Sequence, residues 1–324
     1  MPDAAPPAHK RILVIKHSAL GDFILALGAF RALRNHHPAA HITLLTTAPY
    51  ADMGRACGCF DAVEIDPKPS AFEWGKWLRL RRFIVKNGFD RIYDLQHSDR
   101  THAYFRFFGR RPPEWSGIAR GCSHPHTNPR RNEMHTLERL AEQLADAGIT
   151  ETPAPDLSWL TDDIGSFAIA GPYALLVPGG APHRPEKRWP ADRYADLAQQ
   201  LAAAGLTPVI LGGDAEATEI ERIVAREARA RNLRGRTSLA QIAELARSAT
   251  VAIGNDTGPM HIIAAAGCPS VVLFSKASIP AQTQPRGPAV AVLQRDHLAD
   301  LDVATVYGTA RDLAPELPPA IAPV

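Results

Sequence analysis

Short apolar runs alternate with longer segments of helical spacing along the whole chain, and the pattern runs through twice. In the first half the strand candidates are RILVIKH (11–17), HITLLTT (41–47), AVEID (62–66) and RIYDLQ (91–96). Between them, Phe23, Leu27, Phe30 and Leu33 fall on one helical face that ends near Pro38, and FEWGKWLRLRRFIVKNG reads as a helix stopped by Gly88. Strands that are apolar throughout are buried on both faces, and covering helices between them make the sheet parallel and doubly wound. The stretch 110–132, rich in Pro, Gly, His and Arg, reads as loop, and 135–148 as a helix.

The alternation then restarts. YALLVPGG (173–180), TPVILGG (207–213), TVAIGND (250–256) and SVVLFS (270–275) are strands, with helices expected at about 191–204, 214–230, 238–247 and 259–266. The intervening 151–172 carries prolines and glycines and reads as a connector. The expected organisation is an N-terminal Rossmann-like domain over 1–160, a linker over 161–172 and a C-terminal Rossmann-like domain over 173–324, with the last residues packing back on the first domain. Two such sheets face each other across a cleft in this reading, and ligands bind beyond the carboxyl ends of the strands.

Composition excludes several classes. With 45% hydrophobic residues, and 36 Lys+Arg against 34 Asp+Glu for a net charge of +2, the 324-residue chain is neither disordered nor histone-like. It has no run of about 18 uncharged apolar residues. MPDAAPPAHK has no apolar signal core, and Cys57, Cys59, Cys122 and Cys268 follow no metal-ligand or disulfide spacing. A soluble, reduced, cytoplasmic protein is expected. The near-neutral total is an average: residues 1–160 hold 21 Lys+Arg against 17 Asp+Glu, and 70–131 hold 13 against 5. Within 74–86, Arg79, Arg82 and Lys86 are interleaved with aromatic residues. That pattern suits an anionic headgroup or glycolipid surface, and equally suits an ordinary sheet-covering helix with a solvated face.

Three strand ends carry candidate chemistry. KHSALGD (16–22) puts Asp22 at a helix start, where a carboxylate can take a proton from a bound hydroxyl or simply cap the helix. VPGGAPHRPEKRWP follows a strand with the turn Gly179-Gly180 and the basic residues His183, Arg184, Lys187 and Arg188, a combination suited to a diphosphate or to a solvated loop. IGNDTGPMH ends a buried strand at Asn255-Asp256 and opens a helix at Thr257-Gly258-Pro259, with His261 one turn on. Exposed N–H groups at such a helix start hold phosphate. The chain contains no GxGxxG after its first strands, no GxxxxGK[ST] and no GxSxG. No metal-ligand pattern is present, and no RNA-binding signature.

In this order and spacing, RILVIKHSALGDFILALGAFRALR, PGGAPHRPEKRWP with GGDAE (212–216), and GNDTGPMH resemble the lipopolysaccharide heptosyltransferases of glycosyltransferase family 9. The resemblance spans nearly the whole chain. It implies a GT-B fold and a metal-independent, inverting transfer of a heptose or related sugar from an ADP-sugar to the lipopolysaccharide inner core, with no cofactor. It implies Asp22 as general base and Lys187 as the contact to the donor diphosphate. Gly179, Gly180, Arg188, Asp256, Thr257, Gly258 and His261 would surround phosphate and sugar, and Glu216 the ribose. The N-terminal domain would bind the acceptor and the C-terminal domain the nucleotide-sugar. The implied partners are the donor and an anionic glycolipid at the inner membrane surface, with no nucleic acid; the implied location is the cytoplasm or the inner face of the cytoplasmic membrane. A GT-B enzyme using a UDP-sugar, or a non-catalytic binder of nucleotide-sugar or glycolipid, are the alternatives. Two segments depart from the family pattern: His17 and Ala19 in a turn that often reads T-S-S-L-G-D, and FSKASIP (274–280) where F-G-P-T-D-P is usual. The second should border the cleft and bear on the choice of sugar or acceptor.

Overall fold

The structure, a computed structural model, describes residues 10–181 and 183–319. The chain divides into two compact units, residues 1–155 and 156–324. In the first, β1 (Arg11–Ile15), β2 (His41–Thr46), β3 (Ala62–Ile65), β4 (Arg91–Asp94), β5 (Glu114–Gly117) and β6 (His124–Pro125) form one parallel sheet in the order β3-β2-β1-β4-β5-β6. In the second, β7 (Tyr173–Val177), β8 (Thr207–Ile210), β9 (Arg231–Asn232), β10 (Val251–Asn255), β11 (Ser270–Phe274) and β12 (Val290–Gln294) repeat the design as β12-β11-β10-β7-β8-β9. The α/β, doubly wound, parallel architecture expected from the alternation is the one observed.

Burial explains which strands were legible. β7, β10 and β11 are buried at every residue, and β1 at all but its first. The stretch 110–132, expected as loop, instead contributes β5 and the two-residue β6. β5 buries Trp115 at its centre under Phe105 and Phe108, but its Glu, Ser and Gly positions hide the apolar signal. The first helical segment is two helices, Leu20–Leu25 and Leu27–His36, meeting at Ala26, and the helix expected over 214–230 ends at Arg226. Beyond residue 275 lie β12 and the helix Val303–Leu313, which the apolar spacing did not reveal. Val306, Tyr307, Ala310 and Leu317 enter the core of the second unit; the chain's last residues, 320–324, whose packing on the first domain was expected, lie outside the described residues.

A parallel sheet wound in both directions from its centre has a switch point where neighbouring strands send their connections to opposite faces, leaving a crevice at the carboxyl ends. Here the switch points lie between β1 and β4 and between β7 and β10.

The first unit is tightly closed at Gly28. A Cβ built there would lie 1.9 Å from the carbonyl oxygen of Pro153. In an open helix Gly→Ala stabilises by up to about 1 kcal/mol. Gly28→Ala should instead destabilise the protein by about 1–3 kcal/mol, because the 153–154 backbone must move. Urea unfolding of the variant checks the sign.

Candidate active site

At the first switch point, β1 ends at Ile15 and the chain runs through Lys16, His17 and Ser18 to Asp22, in the first turn of the helix Leu20–Leu25. Asp22 is half-buried, and its Oδ2 accepts the Ala19 N–H at 3.3 Å, a capping contact that leaves the other oxygen available to a ligand. The path of this loop is set by the adjacent strand. Gln96, just past β4, accepts the N–H groups of His17 and Ser18 on Oε1 (2.8 and 3.2 Å) and donates Nε2 to Ser18 O at 3.1 Å. One carboxamide therefore ties β4 to the backbone that leads to Asp22.

A buried polar layer supports the turn. His17 Nε2 lies 2.9 Å from Asp66 Oδ2, which also accepts the Tyr104 hydroxyl at 2.6 Å. Burial works against the Asp66 charge, but His17 and Tyr104 outweigh it and hold the carboxyl below its usual range. Burial lowers the Lys16 ammonium from its ordinary value while Asp22 pulls it up, and Arg139 shows the same opposition. Lys16 Nζ donates to Leu95 O at 3.2 Å. Asp22 thus sits in the field of two cationic side chains.

At the second switch point the residues singled out from the sequence converge. Lys187 ends a short 3-10 turn, Pro185–Lys187, and its Nζ donates to Asp256 Oδ2 at 2.7 Å, with both side chains largely shielded. Asp256 directly follows β10. Thr257 is the extended N-cap of the helix Gly258–Ala265, Pro259 lies in the first turn, and His261 is buried one turn along. The open N–H groups of that helix start are aligned with its positive dipole end. Glu216 closes the neighbouring turn, accepting the Gly213 N–H at 2.9 Å. It lies so close to the Gly179 turn that a Cβ on Gly179 would meet its Cγ at 3.1 Å. Arg188 donates to Gly180 O at 2.8 Å and to Glu219 Oε1 at 2.7 Å, and lies 3.7 Å from Glu216 Oε1. Its charge is committed to protein partners.

Three contributors at these sites were not singled out from the sequence. Gln96 is one. Ser278, from the divergent FSKASIP segment, donates its hydroxyl to Asp256 Oδ2 at 2.6 Å, so that segment reaches the Lys187–Asp256 pair directly. Asn255 is the third. It is fully buried; its Nδ2 donates to Pro178 O (2.7 Å) and Gly179 O (3.1 Å), while its Oδ1 accepts the Trp189 N–H (3.0 Å) and the Tyr194 hydroxyl (3.1 Å). A polar residue closing an otherwise apolar strand was the available signal for Asn255. No local pattern marked Gln96, and Ser278 was covered only as part of the FSKASIP segment expected to border the cleft. Arg79, Arg82 and Lys86 stand apart, on the exposed side of the helix Trp74–Lys86 in the first unit. Among the described residues no group of three or more His, Cys, Asp or Glu converges to hold a metal ion.

Asn255→Ala should lower the unfolding free energy by about 3 kcal/mol or more, since buried N–H and C=O groups each cost about 1–3 kcal/mol when left unpaired. Asn255→Asp keeps both acceptor contacts yet turns an oxygen towards two carbonyls, and should be no more stable than the alanine variant. Denaturant titration of the two variants compares them.

The chain is similar to known proteins along most of its length. The sequence model of glycosyltransferase family 9 (heptosyltransferase) matches residues 77–305. Lipopolysaccharide heptosyltransferase 2 of Escherichia coli is 29% identical over 293 residues, covering 83% of each chain. Among solved structures, ADP-heptose lps heptosyltransferase II of E. coli superposes with a TM-score of 0.77 at 24% identity, covering 94% of this chain and 99% of that one. A family 9 glycosyl transferase from Veillonella parvula superposes with a TM-score of 0.82 at 23% identity, covering 95% and 97%.

Proposed function

The chain belongs to glycosyltransferase family 9, the heptosyltransferase family, and from that membership we propose how its residues act. It is a GT-B glycosyltransferase that moves heptose from ADP-heptose to a lipopolysaccharide core acceptor. In our reading the transfer is a single displacement that inverts the anomeric carbon. The acceptor hydroxyl oxygen attacks that carbon, the bond to the β-phosphate oxygen breaks, and ADP leaves. Asp22 takes the hydroxyl proton, and the first unit contributes this base. The second unit holds the donor. Lys187 and the N–H groups opening at Thr257 and Gly258 meet the charge that develops on the leaving diphosphate.

The observation that carries this reading is the Lys187–Asp256 pair at the second switch point, beside a helix start. An ammonium has three donors. Lys187 can keep its bond to Asp256 while giving a second to phosphate, and Asp256 then acts as its anchor. Ser278 fixes the same Asp256 oxygen, which makes the FSKASIP segment part of the donor site and a place where the choice of sugar is set. Asp256 and His261 border the sugar and phosphate, and Glu216 the ribose. Arg188 serves the site through its neighbours, bracing the Gly180 carbonyl and the acids around Glu216. The acceptor is an anionic glycolipid presented at the inner face of the cytoplasmic membrane.

Thermal shift with nucleotides tests the donor assignment. ADP at about 100 times its dissociation constant should stabilise the protein by about 2.7 kcal/mol, with no comparable effect of UDP. Stabilisation by UDP alone would point to the UDP-sugar alternative. Lys187→Ala should weaken ADP binding roughly tenfold to a hundredfold, the worth of one hydrogen bond to a charged group, and Ser278→Ala by no more than about tenfold. Titration calorimetry reads both. Transfer of heptose from ADP-heptose to a heptose-free core acceptor, with the anomeric configuration of the product read by NMR, tests the reaction itself.

A further inference from the structure

The helix Trp74–Lys86 divides its apolar residues between two faces. Leu80 and Ile84 are buried, and Trp77 and Phe83 pack against the core of the first unit. Trp77 meets Tyr104 and Phe107 edge-on and donates its indole N–H to Ser70 O at 3.0 Å. These four are structural. The other face is not used this way: Trp74 is 73% exposed, Leu78 65%, and Phe72, two residues before the helix, 89%. Ile65, at the end of β3, is also exposed, and it lines the same shallow cavity of about 320 Å³ as Lys76 and Arg79, which makes it part of the same surface. Of the five large hydrophobic residues exposed among the described residues, four belong to this one patch. That is a concentration, not a scatter.

Its charge is mainly positive. Lys76, Arg79, Arg81, Arg82 and Lys86 lie on the same helix, which contains no acidic residue; of the nearby acids, Glu73 is paired with Lys76, and Glu64 lines the cavity beside Ile65. Trp74 and Leu78 are one turn apart, and Arg81 and Arg82 follow a turn later, so apolar and basic side chains share one exposed face. A second copy of this chain is a poor occupant, because a twofold contact would set two sets of these cations against each other. An anionic, amphiphilic surface satisfies both features at once: apolar side chains enter the acyl boundary while the cations meet headgroup phosphates. No helix among the described residues is long and apolar enough to cross a membrane, so attachment would be in the plane of the interface.

We propose that Phe72, Trp74, Leu78 and Ile65, ringed by Lys76, Arg79, Arg82 and Lys86, form a docking surface for an anionic phospholipid bilayer. The proposal deepens the reading of the acceptor as a glycolipid: it supplies the face by which the enzyme reaches a substrate anchored in lipid.

The test is co-sedimentation of the full-length protein with phosphatidylcholine vesicles, with and without phosphatidylglycerol, and needs neither donor nor acceptor. The wild type should bind the anionic vesicles and not the neutral ones, and added salt should weaken binding. The triple variant Phe72→Ser/Trp74→Ser/Leu78→Ser should bind at least about tenfold more weakly. Arg79→Gln/Arg82→Gln/Lys86→Gln should lose roughly 100-fold, since each cation near an anionic surface is worth about fivefold. An unchanged melting temperature and ADP affinity in the apolar triple variant would show that it is folded. Absence of wild-type binding, equal binding to neutral vesicles, or variants that bind as the wild type does would overturn the proposal. So would a wild-type dimer that the apolar variant dissolves. If vesicle binding behaves as expected and heptose transfer fails, the functional reading falls and this surface stands; if transfer to a soluble acceptor persists without vesicle binding, only this surface falls.

Discussion

Each unit of this protein depends on a carboxamide that spans its switch point. A doubly wound parallel sheet leaves a gap where two neighbouring strands send their connections to opposite faces, and the loops on either side have no ladder to hold them. In the second unit Asn255 fills this role with four buried hydrogen bonds joining the end of β10 to the Pro178–Gly179 turn after β7, to Trp189 and to Tyr194. In the first, Gln96 does the same with three bonds from the end of β4 to the loop after β1. A carboxamide suits the position because it donates and accepts at once, so carbonyls and N–H groups from two different loops can be satisfied by one uncharged side chain.

The proposed chemistry follows from what these ties hold still. Trp189 is two residues beyond Lys187, and Asp256 is the residue after Asn255. Fixing Asn255 therefore fixes both ends of the Lys187–Asp256 pair. Likewise the His17–Ser18 backbone that Gln96 holds leads within four residues to Asp22. Our account gives each unit one half of a displacement, with the base at one stitched switch point and the leaving-group site at the other. Positioning of this kind lowers the barrier by removing the search for alignment.

Much of this was legible from residue types. The eight strands read from apolar runs are all present; seven of them are buried at every residue or at all but the first, and a strand buried on both faces must be apolar throughout, whereas β3 is partly exposed and showed only in its short apolar run. β6 and β9 were missed because they are two residues long, β12 because it is only half-buried at a sheet edge, and β5, although buried, because its Glu, Ser and Gly positions break the apolar pattern. The residues proposed to hold the donor were legible as polar groups at strand ends. Ser278 and Gln96 were not, because their significance lies in long-range contacts: Ser278 is 22 residues from Asp256, and Gln96 is 79 from His17. The helix Trp74–Lys86 shows the same limit. Its sequence mixes aromatic and basic residues evenly, and only packing separates Trp77 and Phe83, which serve the core, from Trp74 and Leu78, which do not.

The central claim is that proton removal and donor binding are separate jobs of separate units. Asp22→Asn tests it most directly, because it keeps the size and capping capacity of the side chain and removes only the base. Single-turnover transfer should fall by about 100- to 10,000-fold, the range expected when a general base is lost, while the dissociation constant for ADP-heptose stays within about twofold. Turnover near the wild-type rate, or a loss of donor affinity that matches the loss of rate, would contradict the account.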